Sequence, residues 1–165
     1  MPQVVIRNYS AEDKAHCLET FKSNVPDFFT EEEISDFENF LDQFEIRNES
    51  RDPLARTFFY VVESDGKIVG CGGFGDKENN KIISLAWAHI HRDYHKHGFG
   101  KLLLEYRLEK IKSLFPNQLV FIDTTQHSAP FYIKYGFVTQ KITKDFYAPG
   151  LDRWDLILTT NNTSL

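Results

Sequence analysis

Apolar side chains along this chain switch between two periods, and the switching divides it into elements. Val4 to Tyr9 is extended in pattern and predicts a first strand. Ser10 with Asp13 three positions on has the spacing of a helix cap, so a helix is expected from there through Phe21. Asn24-Val-Pro-Asp is a turn. Thr30 and Glu33 make a second capping pair ahead of Ile34, Phe37, Leu41 and Phe44, an apolar stripe on an otherwise acidic helix. Arg56 to Glu63 and Ile68 to Phe74 are rich in aromatic and β-branched residues, and Ser64-Asp65-Gly66-Lys67 joins them as an antiparallel hairpin. Gly70, Gly72, Gly73 and Gly75 crowd its second strand, which weakens it unless something packs closely against its backbone. A polar turn from Asp76 to Lys81 leads into another extended run, Ile82 to Ile90.

The pattern then turns helical. From Gly98 to Phe115 the apolar positions are Phe99, Leu103, Leu104, Leu108, Ile111 and Phe115, and Pro116-Asn117 stops the helix. Leu119 to Ile122 is continuously apolar, as an interior strand would be. Ser128 is placed to cap a short helix with Pro130 in its first turn and Gly136 at its end. Phe137 to Ile142 and Trp154 to Leu158 are two last strands, parted by a Pro149-Gly150 turn, and 159–165 is expected to be a loose tail. The order is strand, two helices, three strands, helix, strand, short helix, two strands. Mostly antiparallel pairs with crossover helices make a mixed α/β (α+β) fold rather than a doubly wound dinucleotide fold. Neither a repeat nor a linker divides the chain, so residues 1–165 are expected to form one domain.

Composition narrows the partners. With 41% hydrophobic and 26% charged residues the chain is globular in character, and its 15% aromatics supply bulky packing groups. A net charge of -5 argues against a nucleic-acid partner, because phosphate backbones are held through surplus Lys and Arg. Cys17 and Cys71 are the two cysteines, and a chain this long needs no disulfide, which suits a reducing compartment. No run approaches the ~20 apolar residues of a membrane span, and a cytoplasmic location is expected. Asp27, Glu31, Glu32, Glu33, Asp36, Glu38, Asp42 and Glu45 form either a solvated helix face or an acidic lip that attracts a cationic acceptor.

The chemistry concentrates where the fourth strand meets the helix after it. The leading N–H groups of a helix have no intrahelical partner and lie at the positive end of its dipole, so a glycine-bearing turn there binds anions. Gly98 and Gly100 let a pyrophosphate approach the main chain, and Lys96, His97 and Lys101 add positive or protonatable groups. A Walker loop fails here, with His95 where its first glycine belongs and Leu102 after the lysine; a dinucleotide fingerprint fails at Leu103. The stretch His95-Lys96-His97-Gly98-Phe99-Gly100 resembles the acyl-coenzyme A turn of the GNAT acetyltransferases, with His95 in a place those proteins give to Arg or Gln. Downstream, Ala129-Pro-Phe131-Tyr132-Ile-Lys-Tyr135-Gly136-Phe137 is similar to the short-helix motif of the same superfamily, and the order of elements agrees over nearly the whole chain.

That resemblance implies a central mixed, mostly antiparallel sheet flanked by helices, with acetyl-CoA as acyl donor and a small amine as acceptor. It implies that the backbone of Ala88, His89 and Ile90 runs beside the pantetheine arm where the fourth strand splays, and that the turn Lys96, His97, Gly98, Phe99, Gly100, Lys101 holds the pyrophosphate. It places Gln126 where relatives often have an Asn on the coenzyme, and Tyr132 near the coenzyme sulfur as a general acid for the leaving thiolate. An amine would attack the thioester directly, with a strand N–H stabilising the developing oxyanion. The general base stays open among a water held by Ser84, His89, Asp123 and His127. Cys71, inside a glycine-rich strand with no base beside it, is a small core residue rather than a nucleophile. His89, His91, His95 and His97 share no metal-ligand spacing, so no metal is expected. Two other outcomes remain open: an acyl-CoA-binding domain without turnover, and acylation of protein N-termini or lysines, for which an open groove rather than one closed by Phe28 to Phe44 would speak. Relatives commonly dimerise, and a homodimer is possible on that ground alone.

Overall fold

The structure, a computed structural model, describes residues 2–50, 56–77 and 81–159. In chain order the elements are β1 (Val4–Asn8), α1 (Lys14–Lys22), α2 (Glu32–Ser50), β2 (Thr57–Ser64), β3 (Lys67–Lys77), β4 (Ile82–Ile90), α3 (Phe99–Leu114), β5 (Leu119–Thr124), α4 (Ala129–Lys134), β6 (Val138–Ala148) and β7 (Leu151–Thr159). The seven strands hydrogen-bond in the order β1-β2-β3-β4-β5-β7-β6. β1–β2, β2–β3, β5–β7 and β6–β7 are antiparallel and β4–β5 is parallel, so the sheet is mixed and mostly antiparallel. The residues cluster into two compact units, one of Met1–Gly75 and Ala86–Glu109, the other of Asp76–Leu85 and Lys110–Leu165.

In the first unit, polar spacing sets the helix starts. Asp13 reaches back to the Ser10 N–H at 2.9 Å, and Glu33 to the Thr30 N–H at 3.1 Å, the two capping pairs expected. Arg7 grips Asp13 with both terminal nitrogens, at 2.8 and 2.9 Å, and also bonds Glu63, which ties β1 to β2 and to the entry of α1. Burial would raise the Asp13 carboxyl, but the Arg7 and Ser10 hydrogen bonds outweigh it and hold the group below the usual range. Part of the acidic face of α2 is likewise paired, with Lys14 at 2.6 Å from Asp42 and 3.6 Å from Glu38. The apolar stripe closes on α1 and the sheet: Phe21, Phe37, Leu41, Phe59, Val61, Cys17 and Cys71 form one buried cluster.

The glycines of β3 have a steric reason. A Cβ on Gly70 would lie 2.7 Å from the His89 carbonyl oxygen, and one on Gly72 would lie 2.9 Å from the Ala88 Cα. The C-terminal half of β4 packs so tightly on β3 that side chains there would push the strands apart. β3 also runs on to Lys77, further than expected, and residues 78–80 of the polar turn lie outside the described ones.

In the second unit, β5 pairs in parallel with β4 over Ile82 to Ser84 and antiparallel with β7 from Leu119 to Thr124. Val120, Ile122, Leu156 and Leu158 are buried on one face of these strands. Two expectations need correction. Ser128 makes no capping hydrogen bond, because its backbone is already helical (φ -101, ψ -21); the Thr125 carbonyl receives the Ser128 and Ala129 N–H groups instead. β6 and β7 are also longer than their apolar runs, since register shifts after Thr139 and Thr143 let polar residues continue the pairing, and Thr159 belongs to β7 rather than to a tail. Residues 160–165 lie outside the described ones.

Candidate active site

The residues singled out from sequence divide between the units: Ala88 to Ile90 and Lys96 to Lys101 fall in the first, and Ser84, Asp123, Gln126, His127 and Tyr132 in the second.

In the first unit, β4 breaks its extended geometry at Trp87, whose φ is +58. This left-handed residue is held by its neighbour, since His89 Nδ1 donates to the Trp87 carbonyl at 2.8 Å. The His89 ring is buried against the edges of Phe21, Phe29 and Phe37, with Nε2 3.0 Å from Thr20 Oγ1 and 3.3 Å from Cys71 Sγ. Burial lowers its pKa to about 4, so the ring is neutral at physiological pH. Cys71 does have a histidine beside it, contrary to the sequence expectation, but burial pushes its thiol well up and it stays a packed core residue. His89 therefore pins the strand through its side chain, and what it can offer a ligand is its main chain.

After β4 the chain makes a short turn and enters α3. The Ile90 carbonyl accepts from Asn24 Nδ2 and from His95 Nε2, each at 2.9 Å. His95, in the place where the family it resembles has Arg or Gln, thus fastens the turn to the strand end. Lys96 (φ +65) and Gly98 (φ +85) are both left-handed, an alternation that turns successive amides toward one side. Lys96, His97, Gly98 and Lys101 are exposed, and a Cβ on Gly98 would meet nothing within 4 Å. Gly98 is therefore required by its backbone angle, not by crowding. Among the described residues no hydrogen bond engages the backbone N–H of any residue from Lys96 to Lys101. The outcome is a run of unengaged backbone donors at the start of a 16-residue helix, with Lys96, His97, Gly98 and Lys101 exposed.

A GNAT acetyltransferase domain model matches residues 25–156. The chain belongs to the GNAT acetyltransferases. An amino-acid acetyltransferase of Vibrio vulnificus is 34% identical over 79 residues, 48% of this chain and 17% of that relative, so this GNAT chain corresponds to a small part of the relative's length. The ribosomal-protein-S18-alanine N-acetyltransferase of Escherichia coli shares the fold, with a TM-score of 0.72 at 14% identity over 96% of this chain and 94% of the other. So does the PaiA N-acetyltransferase of Thermoplasma acidophilum, solved in complex with coenzyme A, with a TM-score of 0.71 at 18% identity over 95% and 99%.

In the second unit of this GNAT chain, Tyr132 is buried on α4, edge-on to Phe131 and Phe137, and its hydroxyl has no partner among the described residues. Gln126 has both ends of its amide in use: Nε2 donates to the Gly150 carbonyl at 2.6 Å and Oε1 accepts from the Asp152 N–H at 2.9 Å. Through these two bonds the Gln126 side chain braces the β6–β7 turn. His127 is exposed. Ser84 is buried with its Oγ unpartnered, and Asp123 accepts from the Tyr147 hydroxyl at 2.6 Å. Asn24, Tyr147 and Arg153 were not visible as site candidates, because what marks them is a distant carbonyl, carboxylate or ring. Among the described residues no three His, Cys, Asp or Glu side chains group as metal ligands would, and no helix is long and apolar enough to cross a membrane.

Proposed function

We propose that this chain is an acetyl-CoA-dependent N-acetyltransferase acting on the amine of a small molecule, by direct attack in a ternary complex. The observation that carries this reading is the set of unengaged amides from Lys96 to Lys101, at a helix N-terminus with Lys96, His97 and Lys101 around it. Such a cradle suits a diphosphate, and the fold is shared with a protein solved with coenzyme A bound. The similarity to an amino-acid acetyltransferase supports a small acceptor.

In this reading the main chain of Ala88, His89 and Ile90 runs beside the pantetheine arm. The amine nitrogen forms a bond to the thioester carbonyl carbon as the carbon–sulfur bond breaks. The oxyanion is met by a strand N–H, and the departing thiolate takes a proton from Tyr132, whose hydroxyl no protein group occupies. The acceptor ammonium gives up two protons in all, one restoring Tyr132 and one going to solvent. A second reading, acetylation of a protein N-terminal amine, draws on the fold shared with a ribosomal-protein alanine N-acetyltransferase.

The test measures thermal stabilisation by acetyl-CoA, then free-thiol release across amino acids, polyamines, aminoglycosides and N-terminal peptides. Stabilisation with turnover on a small amine is expected. Turnover confined to peptides would move the assignment to the second reading, and absence of any coenzyme effect would overturn both.

A further inference from the structure

One face of the β4–β5–β7 strands carries polar groups that packing does not explain. Val120, Ile122, Leu156 and Leu158 fill the opposite, buried face. Side chains alternate across a strand, so the residues between them emerge together on this one. Ser84 is in register with Phe121, and Asp123, two residues on along β5, stands directly opposite Asp155 of β7. Two carboxylates facing each other across a strand pair repel, and they persist only where cations or donors compensate them.

The protein compensates them in part. Arg153 Nε bonds Asp155 Oδ1 at 2.7 Å while the guanidinium lies over the Phe146 ring, 4.9 Å from its centre. Tyr147 gives its hydroxyl proton to Asp123 Oδ2. It sits at the end of β6, beyond the register shift after Thr143, and so reaches across β7 to β5. Arg153 also attracts Asp123 by charge, and what is left over is hydrogen-bonding capacity. Asp123 Oδ1 and the two terminal nitrogens of Arg153 have no hydrogen-bond partner among the described residues. From the adjoining strand Ser84, 5% exposed and in register with Phe121, adds a buried hydroxyl that has no hydrogen-bond partner among the described residues. A buried hydroxyl without a partner costs stability, and it is a group left for something the protein does not itself contain.

We propose that this face receives the acceptor, and that the acceptor is an amino acid, carrying a carboxylate beside its amine. Asp123 Oδ1 holds the ammonium. The fork of Arg153, steadied through Nε by Asp155 and from below by Phe146, takes the carboxylate with its terminal nitrogens. Ser84 supplies a further hydrogen bond to the same ligand or to a water beside it. A purely cationic acceptor such as a polyamine would leave Arg153 facing it with like charge. The inference rests on the acetyltransferase reading.

The experiment uses the full chain with acetyl-CoA and free-thiol release, comparing an amino acid with its amide and with the amine that lacks the carboxyl group. Expected is a preference of roughly ten-fold or more in kcat/KM for the amino acid, since a charge-assisted contact is at stake. In Arg153→Gln that preference falls by a similar factor through KM, and Arg153→Lys restores part of it. Ser84→Ala leaves thermal stability unchanged or higher, because it removes an unpaired hydroxyl, while raising KM for the amino acid. Coenzyme-induced stabilisation of each variant certifies that it is folded. Equal use of all three acceptors, or an Arg153→Gln loss that is the same for each, overturns the acceptor proposal and leaves the transferase reading standing. No coenzyme stabilisation and no thiol release with any acceptor overturns both.

Discussion

Mild acid should loosen this protein, and His89 is the reason. Its ring is buried in an aromatic cage and its pKa is lowered from 6.5 to about 4, chiefly by desolvation. In the unfolded chain the same imidazole takes a proton near its ordinary value. Between these two pKa values the unfolded state binds more protons than the native state, so stability must fall as pH drops through that window. A gap of about 2.5 pH units at about 1.4 kcal/mol each corresponds to roughly 3 kcal/mol, of which about 2 is lost by pH 5. That is a large share of a margin that is commonly 5–15 kcal/mol. Urea denaturation at pH 7.5, 6.5, 5.5 and 5 reads the effect directly. His89→Gln is the control, since it removes this one titration and nothing else that changes charge. The wild type should lose about 2 kcal/mol more than the variant between pH 7.5 and 5. Parallel stability curves for the two proteins would show that His89 is not held neutral by burial, and the description of β4 as pinned by a neutral ring would fail.

Other substitutions separate conformation from chemistry. Gly98→Ala forces a side chain into a left-handed position (φ +85) in otherwise open space, so it should cost roughly 1–2 kcal/mol in denaturant titration and weaken acetyl-CoA binding at least ten-fold by calorimetry. Gly72→Val would drive atoms into the Ala88 backbone, where even a Cβ would be 2.9 Å from Cα; a loss of about 1–3 kcal/mol and a melting point several degrees lower are expected. Tyr132→Phe should keep coenzyme affinity and lower turnover by roughly a hundred- to ten-thousand-fold, whereas unchanged turnover would remove Tyr132 from the acid role.

The order of elements was legible because periodicity and capping residues are local. Ser10 with Asp13 and Thr30 with Glu33 act over three residues, and the structure pairs them as read. The Asp65-Gly66 hairpin and the strand boundaries of β4 are local for the same reason. The glycine turn at the start of α3 was legible too, since a left-handed Gly98 just before a helix is a local feature. The misreadings arose where a local signal met a non-local competitor. Ser128 lost its cap to Thr125, and the apolar runs of β6 and β7 understated strands whose polar ends are carried by pairing.

By itself, then, the sequence determined which segments are helix and strand, their order, the glycine turn before α3, and through these the family. Tertiary structure decided what individual polar side chains do. His89, offered by sequence as a base, became a neutral pin, because three phenylalanines from α1, α2 and the loop joining them desolvate it. Gln126 became a brace for a turn 24 residues away. Asp123 joined Asp155 and Arg153 on one face through the register of β5 against β7, which no spacing along the chain encodes. Backbone conformation answers to neighbours in sequence, whereas the charge and bonding of a side chain answer to neighbours in space.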